Sequence, residues 1–212
     1  MSTSTRASLT AGAPIVSATT FGFEFAGNYA FYDRNANTAI KPEYYKHILA
    51  GAKKIVIWDP HFMENEDGKL FESVNQNDVE IVILTVCTNI YQAQQEEPEV
   101  HKLRDNIKNA LRKAGVNRFS GYVYAFKHHK VKDGMGYRIY QCHDRFWMID
   151  DKDLYIVGAS MNNQLASEWN FGIMKIEKSV NPDIFKLVDN KYTALLGKFS
   201  ATHNGWRAQI RP

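Results

Sequence analysis

An α/β fold, with a mixed and largely parallel sheet carrying helices on both faces, is what this sequence predicts. Two observations lead there. From Lys41 onward, short apolar runs suited to buried strands alternate with segments of helical periodicity. One of those runs, Val79–Val86, is apolar or β-branched at every position except Glu80, as a strand buried on both faces requires. The 212 residues suit one domain with a core of its own.

The elements follow in order. Residues 1–20 are rich in Ser, Thr, Ala and Gly without periodicity and are expected to form a flexible N-terminal arm; Phe21–Phe25 can add an edge strand. Pro42, Tyr44, Tyr45, Ile48 and Leu49 form a helical face ending near Gly51. Ile55–Trp58 is a short buried strand that Asp59-Pro60 stops. Gly68–Val74 reads as a short amphipathic helix. Pro98–Ala114 reads as a longer one, with Val100, Leu103, Ile107 and Leu111 about one turn apart and Gly115 as its stop. Tyr122–Phe126 is a strand, and His128–Gly136 a polar, basic loop. Tyr137–Ile149 and Leu154–Val157 make a hairpin around the Asp150–Asp153 turn. Phe171–Ile176 is a further strand and Asp183–Leu196 the last helix, so the domain is expected to span residues 21–196 and residues 197–212 to be a C-terminal tail.

Composition narrows the function classes. Hydrophobic content is 44% and charged content 23%, ordinary for a globular domain, and a net charge of +3 does not by itself mark a nucleic-acid-binding protein. Cys87 and Cys142 sit beside apolar runs and form no CxxC pair, so a cysteine-based zinc site is not expected. The first ten residues lack the apolar core of a signal peptide, and no run reaches about 18 apolar residues. A soluble, cytoplasmic protein with no membrane partner is the expectation.

The segment that carries chemistry is Cys142–Asp150, followed by Gly158–Asn162. In a strand His143 and Arg145 share a face, roughly 6–7 Å apart, a span that suits one phosphate group. If the next strand pairs with theirs, Ser160 and Asn162 come close to the imidazole. Imidazole, guanidinium, hydroxyl and amide together offer a nucleophile or acid, a bidentate cation and two neutral donors. Each residue alone has an ordinary reading: a half-buried polar histidine, a surface ion pair, a turn after glycine. Their conjunction at fixed spacing within an apolar stretch favours a phosphodiester site.

These residues resemble the signature of the phospholipase D superfamily, H-x-K-x4-D followed by G-x-S-x-N, which stands here as His143-x-Arg145-x4-Asp150 and Gly158-x-Ser160-x-Asn162. The resemblance is specific over roughly residues 136–176. The His-Asp-Arg-Phe form is similar to that of single-motif bacterial members and of non-catalytic modules. The resemblance implies the phospholipase D-like α/β fold and a metal-independent phosphoryl transfer with no cofactor. In that chemistry one histidine forms a phosphohistidine and a second protonates the leaving oxygen. It implies His143 as nucleophile or acid, Arg145 as the phosphate clamp, Ser160 and Asn162 as oxygen ligands, and Asp150 as the residue that orients the imidazole.

Two positions depart from the pattern: Arg145 replaces Lys, and Gly172 stands where N-x-E would place an acid two residues after Asn170, leaving Glu168 as a candidate substitute. With one copy of the motif, two histidines meet only in a homodimer. Lys130 and Lys132, in the basic loop, can contact a nucleic-acid backbone, although a solvated surface loop is the simpler reading. The leading expectation is a phosphodiesterase, specifically a nuclease. The alternative is a catalytically impaired module that binds phosphate-bearing ligands or partner proteins, and a lipid-headgroup hydrolase is a weaker third.

Overall fold

A computed structural model of the chain describes residues 23–26, 29–32, 48–60, 62, 67–86, 96–126, 129–130, 137–138, 145–158, 171–202 and 205–212. The expected arm over residues 1–20, and both cysteines, lie outside the described residues.

The fold is α/β with a mixed sheet. Its centre is parallel: β3 (Lys54–Trp58) pairs with β4 (Val79–Val86), and β4 with β5 (Phe119–Phe126). On one side the chain turns antiparallel through β8 (Arg145–Ile149), β9 (Asp153–Val157) and β10 (Phe171–Glu177). Beyond β10 lie β2 (Tyr29–Tyr32) and β1 (Phe23–Ala26). On the other side β11 (Gly205–Ile210) pairs antiparallel with β5. Among the described residues, nine strands thus run in the order β1-β2-β10-β9-β8-β3-β4-β5-β11. A separate two-stranded ribbon joins β6 (His129–Lys130) to β7 (Tyr137–Arg138).

Alternation along the strands sorts their side chains into two apolar layers. One layer holds Ile55, Ile57, Ile81, Ile83, Val123, Trp147 and Ile149. It is closed by helix α1 (Glu96–Lys113), through Val100, Leu103, Ile107 and Leu111, and by a 3-10 helix over Asp67–Ser73 that contributes Leu70 and Phe71. The other holds Val56, Trp58, Val82, Leu84, Phe146, Met148 and Leu154. Helix α2 (Pro182–Thr202) closes it with buried Phe185 and half-buried Val188, Tyr192 and Leu195. Helices therefore cover both faces, which is why Val79–Val86 has no polar face to show. Among the described residues no helix is long and apolar enough to cross a membrane.

Three expectations need correction. The last sixteen residues are not a tail. Helix α2 continues to Thr202, and β11 then covers the free edge of β5, with Ala208 and Ile210 buried. The basic segment after β5 is not all loop, since His129 and Lys130 pair with Arg138 and Tyr137. The described part of Tyr137–Ile149 is two strands in different sheets, β7 and β8, rather than one.

Candidate active site

Among the described residues, the buried polar or charged side chains are Asp59, 1% exposed, and Thr85, 0% exposed. They occupy one place. Asp59 directly follows β3 and Thr85 is the penultimate residue of β4, so both lie where parallel strands end, the end at which open α/β sheets build their sites.

Local backbone chemistry holds them there. The Asp59 amide donates to the Leu84 carbonyl at 3.1 Å, continuing the parallel ladder one step past β3. Pro60 has no N–H to continue it, but its carbonyl accepts from the Val86 amide at 3.2 Å and from Thr85 Oγ1 at 3.3 Å. The Asp59 carbonyl accepts from the Phe62 amide at 3.1 Å, folding the chain back under the strand end.

Arg145 joins this row from the other side. It opens β8, and the pairing of Trp58 with Phe146 places it across from Asp59. Arg145 Nε lies 3.5 Å from Asp59 Oδ1, with the two side chains 18% and 2% exposed. At that distance the contact is a charge pair rather than a well-formed hydrogen bond, and among the described residues the buried Arg145 Nε has no hydrogen-bond partner. Arg145 is also the cross-strand partner of Val157, the last residue of β9. A guanidinium, a carboxylate and a hydroxyl thus line one end of an otherwise apolar layer.

Asp150 lies elsewhere. Asp150 and Asp151 both have φ +53°, and the Lys152 amide donates to the Ile149 carbonyl at 3.0 Å, so the β8–β9 connection is a type I′ turn. Asp150 Oδ1 accepts from the Lys53 and Lys54 amides at 2.7 and 2.8 Å, tying the turn to the start of β3. Five residue steps along the strand, roughly 17 Å, separate Asp150 from Arg145. The carboxylate expected to orient an imidazole serves the frame instead, because its position in the turn aims it at two strand-end amides. Asp150→Ala is expected to cost about 2–3 kcal/mol, from two charge-assisted bonds and a left-handed backbone that Asn or Asp tolerates better than Ala. Asp150→Asn should cost less. Urea unfolding measures both, and an unchanged midpoint for the Ala variant would remove this role.

His143, Ser160, Asn162, Glu168 and Asn170 lie outside the described residues, as do Lys132 and His61. Lys130 lies on β6, paired through its backbone with Tyr137. Arg145 and Asp150 are therefore the expected site residues whose side chains can be described, and they stand at opposite ends of β8. The chain enters β8 and leaves β9 at the Arg145 end, so His143 precedes and Ser160 follows that end in sequence. Gly158 there donates its amide to the Gly172 carbonyl at 2.9 Å, and a Cβ at Gly158 would meet that oxygen at 3.2 Å. Gly172 is a half-exposed β10 residue opposite Phe31 of β2. Asp59 escaped sequence reasoning. Its signal was an acid directly after an apolar strand, which reads equally as a stop before Pro60.

No family model matches the chain, and no curated protein matches it. Among solved structures, NucT from Helicobacter pylori is similar at 16% identity, over 73% of this chain and 86% of that one, with a TM-score of 0.48. TrmBL2, described as an archaeal chromatin protein with a novel mode of DNA binding, is similar at 12% identity with a TM-score of 0.37. That match covers 74% of this chain and 48% of TrmBL2, so the chain spans about half its length. With both TM-scores below 0.5, neither likeness assigns a function.

Proposed function

We propose that the chain is a phosphodiesterase, a nuclease that works without metal as a homodimer through a phosphohistidine on His143. One observation carries this reading. The described polar side chains buried in the core gather with Arg145 at one strand end, and the sequence segments that resemble the H-x-K and G-x-S-x-N signature adjoin that end.

The chemistry follows from the residue types. An imidazole nitrogen of His143 bonds to phosphorus as the bond to the leaving oxygen breaks. That oxygen takes a proton from His143 of the partner subunit. Water then attacks the phosphohistidine, giving its proton to the imidazole of the partner's His143 while the P–N bond breaks and frees the first imidazole. Arg145, Ser160 and Asn162 neutralise and hold the phosphate oxygens, with Asn170 and Glu168 nearby in sequence. Lys130 and Lys132 would add backbone contacts of the kind that weaken with salt.

A second reading, a module that binds phosphate without turning it over, is favoured by Gly172, a β10 glycine with no carboxyl group at the place of the family's acid. The experiment is incubation with single- and double-stranded DNA and RNA and with bis-p-nitrophenyl phosphate, with and without chelator, alongside light scattering at micromolar concentration. Chelator-resistant hydrolysis by a dimer is the expected result. Hydrolysis that requires added divalent metal, or full activity in a monomer, would overturn the mechanism. Binding without hydrolysis selects the second reading.

A further inference from the structure

We infer that Asp59 is a positioning residue for the phosphate clamp, and that it is the reason an arginine rather than a lysine stands at position 145. The inference rests on the phosphate-site reading of Arg145 and holds for either a catalytic or a binding-only site.

Asp59 is 1% exposed and is fixed by its own backbone on β4 and by the Phe62 turn. It lies across from Arg145, with Oδ1 3.5 Å from Nε. A cation in this row therefore faces a buried carboxylate before any ligand arrives. A guanidinium meets two anions at once, because Nε lies on one edge while the two terminal nitrogens extend past it in a rigid fork. With its Nε edge toward Asp59, the fork keeps terminal donors for a phosphate. A lysine has one charged nitrogen at the end of a flexible stem, so the buried carboxylate and an incoming phosphate compete for it. In this frame lysine, the residue of the family signature, is the poorer phosphate ligand, and the competitor is Asp59.

That competition gives a readout that a purely structural ion pair does not. Inorganic phosphate binding is measured by calorimetry on the full chain and on the variants Arg145→Ala, Arg145→Lys, Arg145→Gln and Asp59→Asn/Arg145→Lys, with thermal melting as the check on folding. Arg145→Ala is expected to lose phosphate binding. Arg145→Lys should keep the buried charge pair and melt near the parent, yet bind phosphate about 10-fold or more weakly. Removing the competing charge in Asp59→Asn/Arg145→Lys should then recover several-fold of that loss. If the double variant does not fold, Arg145→Lys is compared with Arg145→Gln. The two should bind alike if Asp59 occupies the ammonium, and lysine binding far better than glutamine overturns the proposal. Parent-like affinity in Arg145→Lys, or a folded double variant no better than Arg145→Lys, overturns it as well. A parent that binds no phosphate, or an Arg145→Ala variant that binds as the parent does, sinks the phosphate-site reading itself and the inference with it. That failure is distinguishable because it shows before any change at Asp59.

Discussion

His143→Ala is expected to abolish phosphodiester hydrolysis, lowering the rate by at least about 10³-fold, because the change removes both the nucleophile and the acid that protonates the leaving oxygen. In a homodimer with one motif per chain, the substitution removes both catalytic histidines at once. The fold should persist. Both apolar layers are built from buried side chains of other residues, and the ion pair of Arg145 with Asp59 does not involve the imidazole. The measurement is turnover of bis-p-nitrophenyl phosphate with chelator present, beside a thermal melt. A rate within a few-fold of the parent, in a protein that melts as the parent does, would falsify histidine-based phosphoryl transfer.

Gly121→Ala is expected to be the most damaging single methyl group among the described glycines. Gly121 lies inside β5, paired with Ile81 of β4 and Ile210 of β11, with φ +149°. A Cβ there would overlap the backbone carbonyl of Ile81, which has no freedom to withdraw from the centre of the sheet. The backbone conformation is one that L-residues rarely adopt. Relieving the overlap means separating β4 from β5, where the parallel core is made. A cost above about 4 kcal/mol is expected, a large fraction of the roughly 5–15 kcal/mol that holds a typical domain together. Chemical denaturation, or loss of soluble protein on expression, measures it. A midpoint within the error of the parent would show that β5 shifts to accept the methyl group.

The strands of the parallel core and the longer helices were legible because each has a local cause. Val79–Val86 can only be a strand buried on both faces, and Val100, Leu103, Ile107 and Leu111 can only share one helical face. Gly115 stops α1 as expected, its φ of +80° letting the Val116 amide reach back to the Leu111 carbonyl. The start of β5 was less legible. From sequence this strand begins at Tyr122, yet the ladder from β4 also runs through Phe119, Ser120 and Gly121, and at Gly121 the close backbone approach requires an absent side chain.

By itself the sequence determined the α/β class, the parallel centre, the helices on both faces and the spacing of His143, Arg145, Ser160 and Asn162, all properties of residues near one another in the chain. Only the tertiary structure decided the rest, because the deciding contacts join distant segments. The last strand reads as a basic, aromatic tail until β5 offers it an edge. Asp150 reads as an imidazole partner until the amides of Lys53 and Lys54, nearly a hundred residues away in sequence, take its carboxylate. Asp59 reads as the end of a strand until antiparallel pairing sets Arg145 across from it. Local pattern specifies which face of an element is apolar; which polar group meets which is set by register, and register exists only once the strands have paired.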